Sequence, residues 1–590
     1  MKPIITSLYH YIITSLHQYI RISLHHYIII LKRSPYPYLV AWLILNLLQA
    51  CFSELWHDEA NYWMFSRHLD WGFFDHPPAT PVMIALGDSL IHDELGVRMF
   101  FIIANILTLW ALWKMTVVKD NALFFTLIFS CALLHVGGWL AAPDIPLLLF
   151  TSLFFLFLQQ YLQKDSWQTA LLLGLSVAGM AYSKYHGAVP LIFALIANLS
   201  LLKRRSFWLI PALALILFLP HLYWQYLHDF PTFRYHLIDR NSESWEINFV
   251  SDYILGQLLV FGPLISFVLF WGAFRRKPQD AFEKTLQWTL IGILAFFFLQ
   301  SFRGRTEANW TATAFIPLVV LAYRHLQALP ALHKWIYRLG VVSVLLMLVF
   351  RIYMVYDFLP KGVNPRNEWH GYRVWANELG KEAGDKPVVY YNNYQMPAKY
   401  MFYSGKKAHS VNINTHIGNQ FDLNVADEDY LQGKTVFSVC PPSDTVSGTK
   451  WVAGNMKPLF YKLIDNFQSY NRLKIKTLSE IPESVSAGDT LQISIRLYNP
   501  TDKAVTWNKP GDRAVILKAI FVKDDRIEKE IGILSAWPVN TLSPGGYLDL
   551  KVGIPVPEVP GLYRFRPGIA VEGLFIGRNA NFAKIEVHDR

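Results

Sequence analysis

Through residue 350 the chain alternates long uncharged apolar runs with short charged breaks. The runs cover 34–53, 99–113, 121–143, 145–163, 166–183, 185–202, 206–228, 253–274, 285–302 and 308–323, with a weaker one at 335–350 that Arg338 interrupts. Crossing a bilayer core takes about 20 apolar residues, and slightly short runs gain reach by snorkelling. The pattern predicts about eleven transmembrane helices. Beyond residue 356 it changes. Residues 357–470 mix helix-like stretches (375–383, 396–403) with strand-like ones (387–391, 435–440), which predicts a small α/β domain. From 471 to 590 apolar residues alternate, as in Leu491, Ile493, Ile495 and Leu497 and again in Leu548, Leu550 and Val552, between Gly and Pro turns. Short alternating strands over such a length predict an Ig-like β-sandwich without a cysteine pair. Residues 1–33 carry three imperfect copies of an Ile-Thr-Ser-Leu-Tyr-His-Tyr-Ile-like unit and read as a low-complexity segment. They lack the small-residue cleavage site of a signal peptide.

Composition narrows the class. Hydrophobic residues make up 53% and charged residues 17%, and the mean hydropathy is +0.24. A soluble domain carries about a quarter charged residues, so a soluble enzyme, a disordered chain and a coiled coil are excluded. Twenty Trp, 30 Tyr and 40 Phe suit long membrane–water boundaries. The net charge of +10 is read as an excess on cytoplasmic loops, not as nucleic-acid binding. With the N-terminus inside, Lys32 and Arg33, Lys114 and Lys119, Lys164, the 203–205 triplet, the 275–277 triplet and Arg324 with Lys334 all fall on the cytoplasmic side. Eleven crossings then carry everything after about 356 to the outside. Three cysteines exclude a disulfide scaffold and a cysteine zinc cluster.

Candidate chemistry collects at the external loop mouths. The first such loop reads Glu54-Leu-Trp-His-Asp58-Glu59-Ala-Asn-Tyr-Trp, continues through Asp75-His76-Pro77-Pro78 and ends with Glu94-Leu-Gly-Val-Arg98. A carboxylate pair just after a spanning helix suits general-base work at a membrane surface; the same pair also serves as a helix N-cap. This pattern resembles the GT-C glycosyltransferases. Within that superfamily it is similar to the branch of dolichyl-phosphate-mannose–protein mannosyltransferases, aminoarabinose transferases and rhizobial core galacturonosyltransferases. The resemblance covers about residues 36–356 and extends to Ala142-Pro143-Asp144, to Ser183-Lys184-Tyr185-His186 and to Glu307-Ala-Asn309-Trp310.

The resemblance implies transfer of one sugar from a polyprenyl-phosphate donor to a glycolipid, lipopolysaccharide or protein acceptor, with inversion. Such a reaction needs a carboxylate to take the acceptor hydroxyl's proton and cations for the leaving phosphate. Asp58 is the expected base, with Glu59 supporting it or contacting donor or acceptor. The expected substrate-binding residues are Asp144, Lys184, Tyr185, His76, Glu307, Asn309 and the external pair Arg303 and Arg305, a clamp for the phosphate. In the 229–252 loop, Arg234, Arg240, Glu243 and Trp245 are weaker candidates beside a merely solvated loop. His57 with Asp58, and Asp75 with His76, supply N and O donors for a divalent ion, but the expectation is no metal. The rivals are an oligosaccharide ligase and a lipid or polysaccharide transporter, which predicts internally repeated helical halves.

Overall fold

A computed structural model describes residues 34–239, 245–360, 367–415, 418–440, 448–453, 456, 458–523 and 526–589. The repeat within 1–33, including Lys32 and Arg33, and the candidates Arg240 and Glu243 lie outside them. The chain divides into two compact units, one ending at His370 and one beginning at Gly371.

The first unit is helical. In order it contains α1 Tyr36–Phe52, α2 His57–Ser66, α3 Ala79–Asp88, α4 Glu94–Thr116, α5 Asn121–Phe129, α6 Ala132–Gly137, α7 Asp144–Gln163, α8 Trp167–Ser183, α9 Ala188–Ile196, α10 Leu209–Leu227, α11 Asn248–Val260, α12 Ser266–Arg275, α13 Ala281–Gln300, α14 Phe315–Leu326 and α15 Pro330–Val355. Every charge-free run is helical, but several runs are broken into consecutive helices, and the backbone does not establish eleven spans. Among the described residues, five helical segments are long and apolar enough to cross a membrane (α4, α7, α10 with its leading turn, α13 and α15), and a sixth counts if α1 and α2, bent by 86°, form one span. Absence of charge defines a run, but backbone geometry decides whether it is one helix. The 121–143 run breaks at Ser130 and Cys131, and the 253–274 run breaks around Gly262 and Pro263. Proline cannot continue the hydrogen-bond ladder. Gly262 has φ +109°, and a Cβ there would lie 2.5 Å from the Ser130 carbonyl oxygen, so the two breaks pack against one another. Conversely, α15 continues straight through Arg338, whose guanidinium lies over the Trp335 ring. Leu215, Ile216, Leu219, Val341, Leu345 and Val349 are exposed along α10 and α15. Apolar surface on this scale belongs in lipid, and the chain is a polytopic membrane protein.

The second unit joins two kinds of sheet. Its first part has a five-stranded mixed sheet in the order β2-β1-β3-β5-β4, with β1 Val388–Tyr391, β2 Ala408–Val411, β3 Val436–Val439, β4 Thr449–Trp451 and β5 Leu459–Ile464. Strands β2, β1 and β3 run parallel and the remainder antiparallel. Helices α16 Tyr372–Ala383 and α17 Gln395–Ser404 share its core through Trp375, Leu379, Tyr400 and Phe437. The second part has a sheet of β6 Lys474–Thr477, β8 Thr490–Tyr498 and β13 Tyr547–Pro555. A larger sheet contains β7 Ser484–Ser486, β10 Val515–Lys523, β11 Arg526–Leu534, β14 Gly561–Val571 and β15 Ala583–His588, and a short ribbon pairs β9 Val505–Thr506 with β12 Thr541–Leu542. Leu491, Ile493, Ile495 and Leu497 of β8 all point into one core with Leu517, Phe521, Phe565 and Ile585 of the larger sheet, as period-two alternation requires. The two parts are tied together by the Asn414 N–H donating to the Ile576 carbonyl at 2.8 Å, an Arg578–Asp422 ion pair at 3.1 Å and the Tyr391 and Phe575 rings.

His409 of β2 is buried beside Phe421, and burial pushes its imidazole down to about 4. The unfolded chain takes this proton near pH 6.5, so stability is full above that value and declines as pH falls toward 4. The expected loss is about 3 kcal/mol. Thermal unfolding of the second unit, followed by hydrogen exchange at residues 408–411 from pH 7 to 4, checks this; His409→Gln should flatten the decline.

Candidate active site

The first external loop turns on one buried ion pair. Helix α1 ends at Phe52, leaving carbonyls that no further helical turn satisfies. Arg98, from the first turns of α4, fills that end. Its Nη1 donates to the Ala50 and Ser53 carbonyls at 3.0 and 2.7 Å, and its Nη2 to the Glu54 carbonyl at 2.9 Å. The remaining two donors, Nε and Nη2, meet the Glu59 carboxylate at 2.8 and 2.6 Å. All five guanidinium N–H groups are thus used, and both side chains are fully buried. Glu59 also accepts from the backbone N–H of Trp56 and of Ala141, each at 2.9 Å. The first of these contacts caps α2 and the second ties α2 to the segment leading into α7. Trp139 closes the guanidinium's face at 4.5 Å. Glu59 therefore supports the start of α2, with its carboxylate fully buried against Arg98. Asp58, one residue earlier in the first turn of α2, is only half-buried.

Three residues beyond Ala141, a second cluster forms around Asp144, the first residue of α7. Lys184, which ends α8, donates to Asp144 Oδ1 at 2.9 Å, and Asn309, in a 3-10 turn before α14, donates to Oδ2 at 2.9 Å. Three motifs far apart in the chain converge on one carboxylate at a helix N-terminus, where a negative charge is favoured.

The other expected residues divide. The Tyr185 hydroxyl is within 2.6 Å of His221 Nε2, while His221 Nδ1 is 2.6 Å from the Trp71 carbonyl. The carbonyl fixes the proton on Nδ1, so the hydroxyl donates to Nε2 and accepts from Gln225 at 3.1 Å. Gln225 in turn donates to Thr232, which donates to the Phe73 carbonyl. The Tyr185 hydroxyl is thus engaged in holding the first loop, and its ring stacks on Phe233. Sequence reasoning overlooks His221 and Gln225; their signal is two polar residues at i and i+4 inside the apolar run 206–228. His76 sits 3.9 Å from the Asp75 carboxylate with its ring toward Tyr62, and His236 donates to the Asp75 carbonyl. Arg303 and Arg305 are exposed, and Arg305 pairs with Glu307 at 3.2 Å. Glu307 therefore faces Arg305, while Asn309 faces Asp144. Exposed Trp245 donates to the Ser301 carbonyl. Among the described residues no three His, Cys, Asp or Glu side chains gather to hold a metal ion.

Breaking the buried pair should unfold this corner. Glu59→Gln leaves Arg98 charged without its counterion and is expected to cost about 3–5 kcal/mol, read as a large drop in the melting temperature of the detergent-purified protein. Asp58→Asn, at a half-exposed position, should leave that temperature nearly unchanged.

A family model described as dolichyl-phosphate-mannose-protein mannosyltransferase matches residues 75–224. The lipid A galacturonosyltransferase RgtD of Rhizobium johnstonii is 27% identical over 297 residues, 46% of this chain; the match spans only 60% of that relative's length. The crystal structure of ArnT from Cupriavidus metallidurans in the apo state superposes with a TM-score of 0.53 at 13% identity, covering 72% of this chain and 98% of ArnT. The same protein bound to undecaprenyl phosphate gives 0.54 at 14% identity, covering 72% and 97%. Likeness at that identity is likeness of fold: the chain shares the fold of ArnT over 72% of its length.

Proposed function

We propose that the chain transfers a single sugar from a polyprenyl-phosphate donor to a glycolipid acceptor of the lipid A class on the extracytoplasmic face of a bacterial inner membrane, with inversion. The observation that carries this reading is the Glu59–Ala141 hydrogen bond, which sets the start of α2, and with it Asp58, against the segment that delivers Asp144. The similarity to RgtD supports a lipid A acceptor, and the likeness to ArnT bound to undecaprenyl phosphate supports a polyprenyl-phosphate donor.

In this reading the acceptor hydroxyl attacks the anomeric carbon as Asp58 takes its proton. The bond from that carbon to the phosphate oxygen breaks on the opposite side, and polyprenyl phosphate leaves. Asp144 has both oxygens engaged, by Lys184 and Asn309, which supports a positioning role for it and leaves the base to Asp58. Lys184, Arg303 and Arg305 supply cations for the phosphate, the arginines from an exposed segment suited to a headgroup at the membrane surface. The N-terminus is cytoplasmic, and the α/β part and the sandwich formed by the two facing sheets are extracytoplasmic.

Asp58→Asn keeps shape and hydrogen bonding but removes the base. Turnover in single-sugar transfer to lipid A, assayed with a panel of polyprenyl-phosphate monosaccharides, should fall about 10²–10⁴-fold, with substrate KM values little changed. A stable variant with near-normal turnover would remove Asp58 from the mechanism. The orientation has its own check: a C-terminal alkaline phosphatase fusion should be active, and an active C-terminal β-galactosidase fusion would reverse the topology.

A further inference from the structure

The short segment that follows α15 returns to the edge of the site. Asn367 closes a tight turn, its side-chain oxygen accepting from the N–H groups of Trp369 and His370 at 3.3 and 3.0 Å and its amide donating to the His370 carbonyl at 2.7 Å. His370 is pinned to the end of α15 through the Tyr353 carbonyl at 2.6 Å. This turn sets Trp369 beside Trp56, with ring centroids 6.3 Å apart and planes within 14° of parallel. The indole N–H of Trp56 donates to the Glu368 carboxylate, which fixes the plane of that ring. Behind the pair, Trp139 is fully buried, 5.9 Å from Trp369 and in contact with Arg98.

Trp139 completes the core, but Trp56 and Trp369 are both half-exposed. The two near-parallel rings stack on one another beside Trp139 and keep part of their surface open, Trp56 lying two residues before Asp58. A pyranose ring presents polarised C–H groups on one face and hydroxyls around its rim, and the electron-rich face of an indole complements those C–H groups. An acceptor hydroxyl that loses its proton to Asp58 brings its own sugar ring to this neighbourhood, whereas the donor phosphate is assigned to the cations of the other loop mouths.

We propose that Trp56 and Trp369 form the platform on which the acceptor saccharide stacks, with Glu368 as the residue that positions the Trp56 ring. The inference rests on the glycosyl-transfer reading above and names the acceptor side of that same site.

The experiment uses the full-length protein in detergent, with lipid A as acceptor and as binding probe. Trp369→Leu keeps apolar bulk and removes the flat ring. It should raise the acceptor KM and the lipid A Kd about three- to tenfold, with donor KM, turnover at saturating acceptor and melting temperature unchanged. Trp369→Phe should recover part of the loss, and Glu368→Gln should weaken lipid A in the same direction. An unchanged acceptor KM and Kd in Trp369→Leu would overturn the platform, as would a rise in both substrates' KM together with a lower melting temperature, or no lipid A binding by the wild-type protein. A wild-type protein that binds lipid A, loses affinity in Trp369→Leu, yet transfers no sugar would overturn the proposed reaction and leave the platform standing.

Discussion

A guanidinium and a carboxylate at zero exposure, inside a helical membrane unit, would ordinarily cost several kcal/mol each in lost hydration. The Arg98–Glu59 pair survives because nothing in it is left unsatisfied. Five N–H donors meet two carboxylate oxygens and three carbonyls at the end of α1, and the same carboxylate caps α2 and holds the backbone of Ala141. The bend of 86° between α1 and α2 is possible because Arg98 accepts the role that another helical turn would have played. Asp58 inherits its position from this arrangement.

The Asp144 cluster follows the same logic on a smaller scale. A helix N-terminus, a lysine ending one helix and an asparagine in the turn before another converge on one carboxylate, so the ends of α7, α8 and the 308–314 turn are held by a single side chain. Both clusters use charge to terminate helices at one end of the unit, where the catalytic chemistry is proposed. Elsewhere in the unit helices break for packing reasons, as at Gly262 against Ser130, where backbone meets backbone without ionisable groups.

In the second unit, hydrophobic alternation alone accounts for much of what is observed. The inward residues of β8 form a continuous row because a strand's side chains alternate by geometry, whatever the rest of the chain does. What alternation leaves open is the joining of the mixed sheet to the paired sheets, which depends on polar contacts such as Arg578–Asp422, 156 residues apart in sequence.

That contrast describes the whole protein. The helical character of the apolar runs, the membrane class and the strands after 471 were legible because hydropathy, periodicity and charge are properties of neighbouring residues. The continuity of each helix was not legible: whether Arg338 interrupts a run or lies along it, and whether 253–274 is one helix or two, depends on what the backbone packs against. Nor were the partners. Glu59 finds Arg98 across 39 residues, Asp144 finds Lys184 across 40 and Asn309 across 165. Sequence determined which residue types were available at the mouth of the site. Only the tertiary structure decided that Glu59 turns inward while Asp58 stays half-exposed, because that choice belongs to the donors that fold around each carboxylate.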